Sequence, residues 1–353
     1  MMAREGAMPI CHRSIVQCVV VALPLLSGGA SVGHADGFVV GPHGSQVWEP
    51  GQAALILIDE TAGTEDLFLE IEAHGEARDF GWIVPTPALP QVAEADEEIL
   101  RACDRLTRPI HRRRSNGFGC AGDDERWASP ADGADGEITI YDEQTIGILR
   151  TLVLGADDAE LLADSLRVWG YLHAENESEV SPLLEEYVAR DWYFVATRVD
   201  SSVIEPGDGF WSARVTPLRL TFATDAPVYP LRISSISATQ ETRLRLYVCA
   251  RTRMRAPGTR AAYANRLDRA ELANIREDYP ALGALLAEGR YLTKLVATLD
   301  PSEMTGDLYL TAAASEEELR PIEYAAQRPG GELLLLAAAA GLFVFRRRRK
   351  SLL

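Results

Sequence analysis

An α+β fold, mainly antiparallel sheet with amphipathic helices packed against it, is predicted by three features of the 353-residue chain. Short apolar or alternating runs follow one another closely: "AALILID" (53–59), "LFLEIEAH" (67–74) and "DFGWIVP" (79–85). Only the turn "TAGTED" (61–66) separates the first two, which reads as an antiparallel meander. In "LRLTF" and "RLRLYV" cations alternate with apolar residues, as in a sheet with one solvated face. Helical segments carry apolar stripes able to cover the other face.

Residues 1–35 read as a secretory signal peptide. Arg4 and Arg13 form its basic start, "IVQCVVVALPLL" (15–26) its apolar centre, and Gly33-His34-Ala35 a small-x-small cleavage pattern. Residues 36–314 are the expected extracytoplasmic domain. After its first three strands, "EADEEILRACDRLTRP" switches to helical spacing, with Ile99, Leu100, Cys103 and Leu106 on one face and acidic residues in the first turn. Residues 108–136 are charged, Gly-rich and poor in aliphatics, and read as a long loop insertion. Strands resume at 137–143 and 148–155. "DDAELLADSLRVWGYL" (157–172) reads as a capped helix, and "SPLLEEYVARD" (181–191) as a second, with Ser181 as N-cap and Pro182 at its first position. Strand candidates follow at 192–199, 215–223, 229–238 and 243–251, then helix candidates at 269–278 and 280–289, then "YLTKLVATL" and "LYLTAA".

The far end is organised differently. Residues 315–330 are polar and read as an extended stalk. Residues 331–345 carry an uninterrupted apolar run and read as a transmembrane helix, shorter than the usual span of about 20 residues. Residues 346–353 begin with four Arg and a Lys, the cytoplasmic flank of such a helix. The domain is therefore placed outside a bacterial membrane and the tail inside. The same pattern resembles C-terminal sorting tails, which would leave the protein at the cell surface after processing.

Charge excludes one class of partner. Residues 1–35 carry two cations and one anion, and residues 346–353 carry five cations, so of the net −17 the segment between them holds −23. Such a domain repels nucleic acid and anionic lipid. Three cysteines remain beyond the signal peptide. Cys103 and Cys120 would close a short loop in an oxidising compartment, where a disulfide contributes roughly 3 kcal/mol. Cys249 sits inside an apolar run and reads as a small buried hydrophobe.

Asp79-Phe80-Gly81 matches the magnesium-binding triplet of protein kinases, but no Gly-rich loop precedes it and no catalytic-loop Asp and Asn follow. It reads instead as a strand running into Pro85, Pro87 and Pro90, with Phe80 and Trp82 to one side and Ile83 opposite. There is no HExxH, GxSxG or phosphate loop, and His43, His74, His111 and His173 are scattered. No catalytic, metal-binding or cofactor-binding residue is assigned, and no cofactor is expected. Trp82, Trp192 and Trp211 are the aromatic candidates for a ligand surface, although Trp in strands more often belongs to a core.

The order of features resembles a bacterial family called domain of unknown function 2330. The residues that carry the likeness are "QAALILIDETAGTEDLFLEIEAHGEARDFGWIVPTPALPQV", "ITIYDEQTIGILRTLVLGADDAELLADSLRVWGY", "LLEEYVARDWYFVATRV" and "TPLRLTFATDAPVYPLRIS", within about 36–255. The resemblance implies an exported protein, often C-terminally anchored, with no established activity. The family's Cys-rich start is missing from "ADGFVVGPHG", so no disulfide scheme is carried over. The expected function is a non-enzymatic module that binds or scaffolds an envelope polymer or protein. The alternative is an extracytoplasmic hydrolase working through paired carboxylates.

Overall fold

The computed structural model describes residues 38–40, 47–48, 51–70, 72–75, 80–111, 138–172, 177–199, 211–214, 216–236, 238 and 241–323. The expected signal peptide, most of the loop insertion, Cys120, the transmembrane helix and the basic tail lie outside these residues. Among the described residues no helix is long and apolar enough to cross a membrane.

In chain order the strands of the two main sheets are β1 (Phe38–Val40), β2 (Gly51–Asp59), β3 (Thr64–Leu69), β4 (Gly81–Thr86), β5 (Gln91–Glu94) and β6 (Ile138–Ile146). They continue with β7 (Leu149–Ala156), β8 (Tyr193–Val199), β9 (Leu218–Ala223), β10 (Thr242–Ala250), β11 (Arg260–Arg266) and β12 (Tyr291–Leu299). One sheet has the order β1-β4-β8-β7-β6, the other β11-β12-β10-β2-β3-β9-β5. All pairings within them are antiparallel except β2 with β10, where Ala54 lies beside Leu246. The helices are α1 (Glu98–Leu106), α2 (Ala159–Val168), α3 (Glu177–Val188), α4 (Arg269–Asp278) and α5 (Pro280–Leu285). The α+β class is thus observed.

Side-chain alternation sorts these elements into four layers. Trp82, Val84, Leu149 and Val195 of the first sheet share one buried cluster with Ala54, Ile56, Leu67, Leu220, Leu246 and Leu295 of the second. The opposite face of the first sheet, with Ile83, Leu152 and Phe194, is covered by Leu162 and Leu166 of α2 and Leu184 and Tyr187 of α3. The opposite face of the second, with Ala53, Leu55, Tyr247 and Cys249, is covered by Leu100 and Cys103 of α1, Ile275 of α4 and Leu282 of α5. A central strand covered on both faces needs no polar side, which is why β2 reads as continuous "AALILI". Each such Leu or Ile contributes roughly 1.5–3 kcal/mol through burial. Phe80 and Trp82 do face one layer and Ile83 the other.

Local chemistry fixes the turns. Asp59 accepts from the N–H groups of Thr61 at 2.8 Å and Ala62 at 3.1 Å, closing the β2–β3 hairpin. Gly81 admits β4 against the chain at Tyr171, where an added Cβ would sit 2.3 Å from the carbonyl oxygen.

Three local expectations are corrected. Residues 229–238 do not form one strand: Val228–Tyr229 is a short strand, and Arg232–Ser235 is a 3₁₀ turn. Pro230 supplies no ladder donor, and the turn sends Leu231 into the inter-sheet cluster and Ile233 into the cluster under α2 and α3. Helix α3 starts upstream of Ser181, so Pro182 lies inside it; the buried Val180 draws the preceding turn into the packing. The run 67–74 is divided, with Glu72–Gly75 in a separate sheet beside Trp211–Arg214 and Val47–Trp48.

Residues 315–323 of the expected stalk run along the domain. Leu319 exchanges backbone hydrogen bonds with Ala264 at 2.7 and 2.9 Å. Tyr291 Oη donates to the Glu316 carbonyl at 3.0 Å. Ile322–Glu323 pairs in parallel with Ile110–His111.

Candidate functional site

The docked segment closes one wall of a cleft of about 180 Å³ on the helix-covered side of the second sheet. Three elements supply the rest. Helix α1 ends beside it, with Thr107 Oγ1 donating to the Cys103 carbonyl at 2.8 Å, and presents Leu106 and Arg108. Strand β11 contributes Tyr263 and Asn265. Helix α4 contributes Glu271, Asn274, Ile275 and Asp278, and Tyr279 follows it. The spacing 271, 274, 275, 278 is one helix face. Asp268 fixes the start of that helix: its carboxylate accepts from Glu271 N–H at 2.8 Å, and the Glu271 carboxylate reaches back to the Asp268 N–H.

Most charges in the cleft are already matched. Arg108 donates to Asp104 Oδ2 from Nη2 at 2.7 Å and from Nε at 3.0 Å. Arg320 donates to Asn265 Oδ1 from Nε at 2.9 Å and also pairs with Glu271. Asn265 donates in turn to Glu271 at 2.9 Å. The exposed side chains of Asn274 and Asp278 make no hydrogen bond or ion pair with any described residue. Burial pushes the Tyr263 phenol up, with Arg320 opposing.

Behind the cleft, Asp104 also accepts from Lys294 Nζ at 3.1 Å and Tyr247 Oη at 3.2 Å. Burial works against its charge, but Arg108 and Lys294 hold its carboxyl down at about 2. Burial lowers Lys294 from its ordinary value, with Asp104 opposing.

Glu65 and Asp307 are carboxyl groups shifted upward among the described residues, and neither lines the cleft. Glu65 is fully buried and pushed up to about 8 by desolvation. The buried Asp307 side chain is raised by the same cause, while Tyr187 Oη at 2.8 Å and Arg190 Nη1 at 3.1 Å donate to it. The carboxylates that do line the cleft, Glu271 and Asp278, stand seven residues apart on one helix, about 10 Å along its axis. They do not face each other across a scissile bond. Among the described residues no three His, Cys, Asp or Glu side chains converge as metal ligands would.

The aromatic and cysteine candidates fall elsewhere. Trp82 is 1 % exposed, because its strand position points between the sheets. Trp192 is 6 % exposed and is sealed beneath Arg190, whose guanidinium lies 4.5 Å from its ring. These two are core residues, not the ligand surface that aromatic content suggested. Trp211 opens the strand Trp211–Arg214. Cys103 and Cys249 are buried free thiols in the same cluster; the expected partner Cys120 lies outside the described residues. Sequence reasoning missed the cleft itself. Its legible signals were the D-x-x-E capping box at 268–271 and the one-sided spacing of α4; Arg320 was hidden by assignment to the stalk.

A family model described as "Uncharacterized protein conserved in bacteria (DUF2330)" matches residues 32–311. No curated protein matches the chain. Among solved structures, a mutated baculovirus P35 after caspase cleavage is similar at 11% identity, with 77% of this chain and 99% of that chain covered and a TM-score of 0.32. Baculovirus P35 itself is similar at 10% identity, with 80% and 98% covered and a TM-score of 0.32. At these TM-scores the likeness carries no argument.

Proposed function

The chain belongs to the DUF2330 family of uncharacterized bacterial proteins, and from that premise we propose that it is a membrane-tethered extracytoplasmic binding module. Its cleft is the recognition site for an envelope polymer or protein. The observation that carries this reading is the state of the cleft: Asn265, Glu271 and Arg320 bond one another beside the buried Tyr263, while the exposed side chains of Asn274 and Asp278 are left without a partner among the described residues. A rigid frame with a few free polar groups is the usual build of a binding pocket. The upward-shifted carboxyls lie in the interior, so the geometry favours binding over hydrolysis.

Two experiments test the proposal. Purified protein is mixed with isolated envelope material and sedimented; wild type should co-sediment, and the double variant Asp278→Ala, Tyr279→Ala should not. Equal sedimentation of both would remove the cleft from the function. For the tether, full-length protein should stay with membranes through a high-salt wash, and a chain ending at Arg328 should be soluble. Salt release of the full-length protein would make its attachment electrostatic. Recovery at the surface with a C-terminus near Gly330 would indicate processing instead of permanent anchoring.

A further inference from the structure

We propose that the cleft takes an organic ammonium group, as carried by a free diamine or by a lysine side chain. This rests on the reading of the cleft as the binding site and adds its chemical selectivity.

The charge balance of the lining residues points this way. Both arginines are committed, Arg108 to Asp104 through two hydrogen bonds and Arg320 to Glu271 and Asn265. Glu271 is likewise spent on Arg320, Asn265 and the start of its own helix. Asp278 is then the one charged lining group without a counter-charge among the described residues. A cation entering the cleft finds that carboxylate unshared, whereas an anion finds each guanidinium already engaged.

Three further features have the same sign. Helices α1 and α4 both finish at the cleft, at Leu106 and Asp278, and a helix C-terminus carries partial negative charge. The half-buried Tyr279 and the buried Tyr263 both line the cleft, and aromatic rings attract ammonium ions. Leu106, Leu267 and Ile275 supply apolar surface that suits the methylene stem of an alkylammonium. At longer range, the net −23 of residues 36–345 raises the local concentration of cations.

The test uses full-length protein in detergent, with putrescine, N-acetyl-lysine methyl ester, sodium chloride of matched ionic strength, sodium acetate and glucose as probes. Titration calorimetry and the unfolding temperature are the readouts. Saturable binding of either amine, with sodium chloride inert, is expected; tighter binding of putrescine indicates a free diamine, and tighter binding of the lysine ester indicates a protein-borne side chain. Asp278→Asn should weaken the amine roughly tenfold, the scale of an ionic contact supported by an aromatic ring, and Asp278→Glu should restore much of it. Asp66→Asn, which alters a carboxylate on the far strand β3, should leave amine binding unchanged. Equal weakening by Asp66→Asn, or equal effects of amine and sodium, would reduce the interaction to general acidity and overturn the proposal. Binding of acetate or glucose that depends on Tyr279, with the amines inert, would also overturn it while leaving the binding module standing. The unfolding temperature of each variant without probe shows whether a loss of binding is a loss of fold.

Discussion

Replacing Glu65 with Gln should change how stability depends on pH. The side chain lies on β3 and is fully buried. Oε2 accepts from the Val228 N–H at 2.9 Å, and Oε1 has no hydrogen-bond partner. Desolvation holds the carboxyl at about 8, against an ordinary 4.5. The folded protein therefore keeps a proton that the unfolded chain releases. Stability is full below 4.5, falls by about 1.4 kcal/mol for each pH step of one, and levels off above about 8. Across that window the loss is on the order of 5 kcal/mol, a large fraction of the usual 5–15 kcal/mol of a domain. Gln keeps the acceptor for Val228 and cannot ionise. Its amide leaves a buried group unmatched, a cost of about 1–3 kcal/mol that does not vary with pH. The variant should thus be equal to or weaker than wild type at pH 5 and clearly stronger at pH 8. Urea midpoints of both proteins at pH 5, 6, 7 and 8 give the difference directly, because all other titrating groups are common to the pair. Parallel stability curves would refute the argument that Glu65 is held neutral by burial.

Gly81→Ala should cost about 1–3 kcal/mol or more in the same assay, since the new methyl meets the backbone at Tyr171; Gly63→Ala, with open space around it but a φ of 66°, should cost only about 1–2 kcal/mol. Asp104→Asn should destabilise at neutral pH. The folded carboxyl sits at about 2, below its ordinary 3.8, so its contribution is complete above 3.8 and disappears as pH falls through 2; the gap between variant and wild type should close over that range. Iodoacetamide followed by peptide mapping should label Cys103 and Cys249 only in denaturant, because both are buried and burial pushes the Cys249 thiol up to about 12.

Much of the layered fold was legible because it rests on local periodicity. The continuous "AALILI" of β2 and the alternating "LRLTF" of β9 report one strand covered on both faces and one covered on a single face. Helix α4 was legible to the residue, at 269–278. Pairing order was not, since nothing local tells β2 to insert beside β10 in parallel. The 3₁₀ turn at Arg232–Ser235 defeated the reading for a related reason: "YPLRISSISA" has strand composition, but its shape follows from the need of Leu231 and Ile233 to enter different layers. The cleft was the least legible part. Arg108, Tyr263, Asp278 and Arg320 are separated by long stretches of chain and meet only through the packing of α1, β11 and α4 and the docking of residues 315–323.

That docking also sets a reach. Glu323 is paired with His111, and six residues, hence seven Cα steps, separate it from the Gly pair that opens the proposed membrane segment. Fully stretched, those seven steps span no more than about 25 Å. With the tail anchored as proposed, the domain is on a short leash, fastened at the wall of the cleft where Arg320 and Pro321 lie. Its acidic surface can still stand clear of anionic headgroups, whose field decays over about 8 Å at physiological salt. The cleft itself stays within a few nanometres of the bilayer. It would sample what is displayed at the outer membrane face or just above it, and a target farther out would have to come inward to be met.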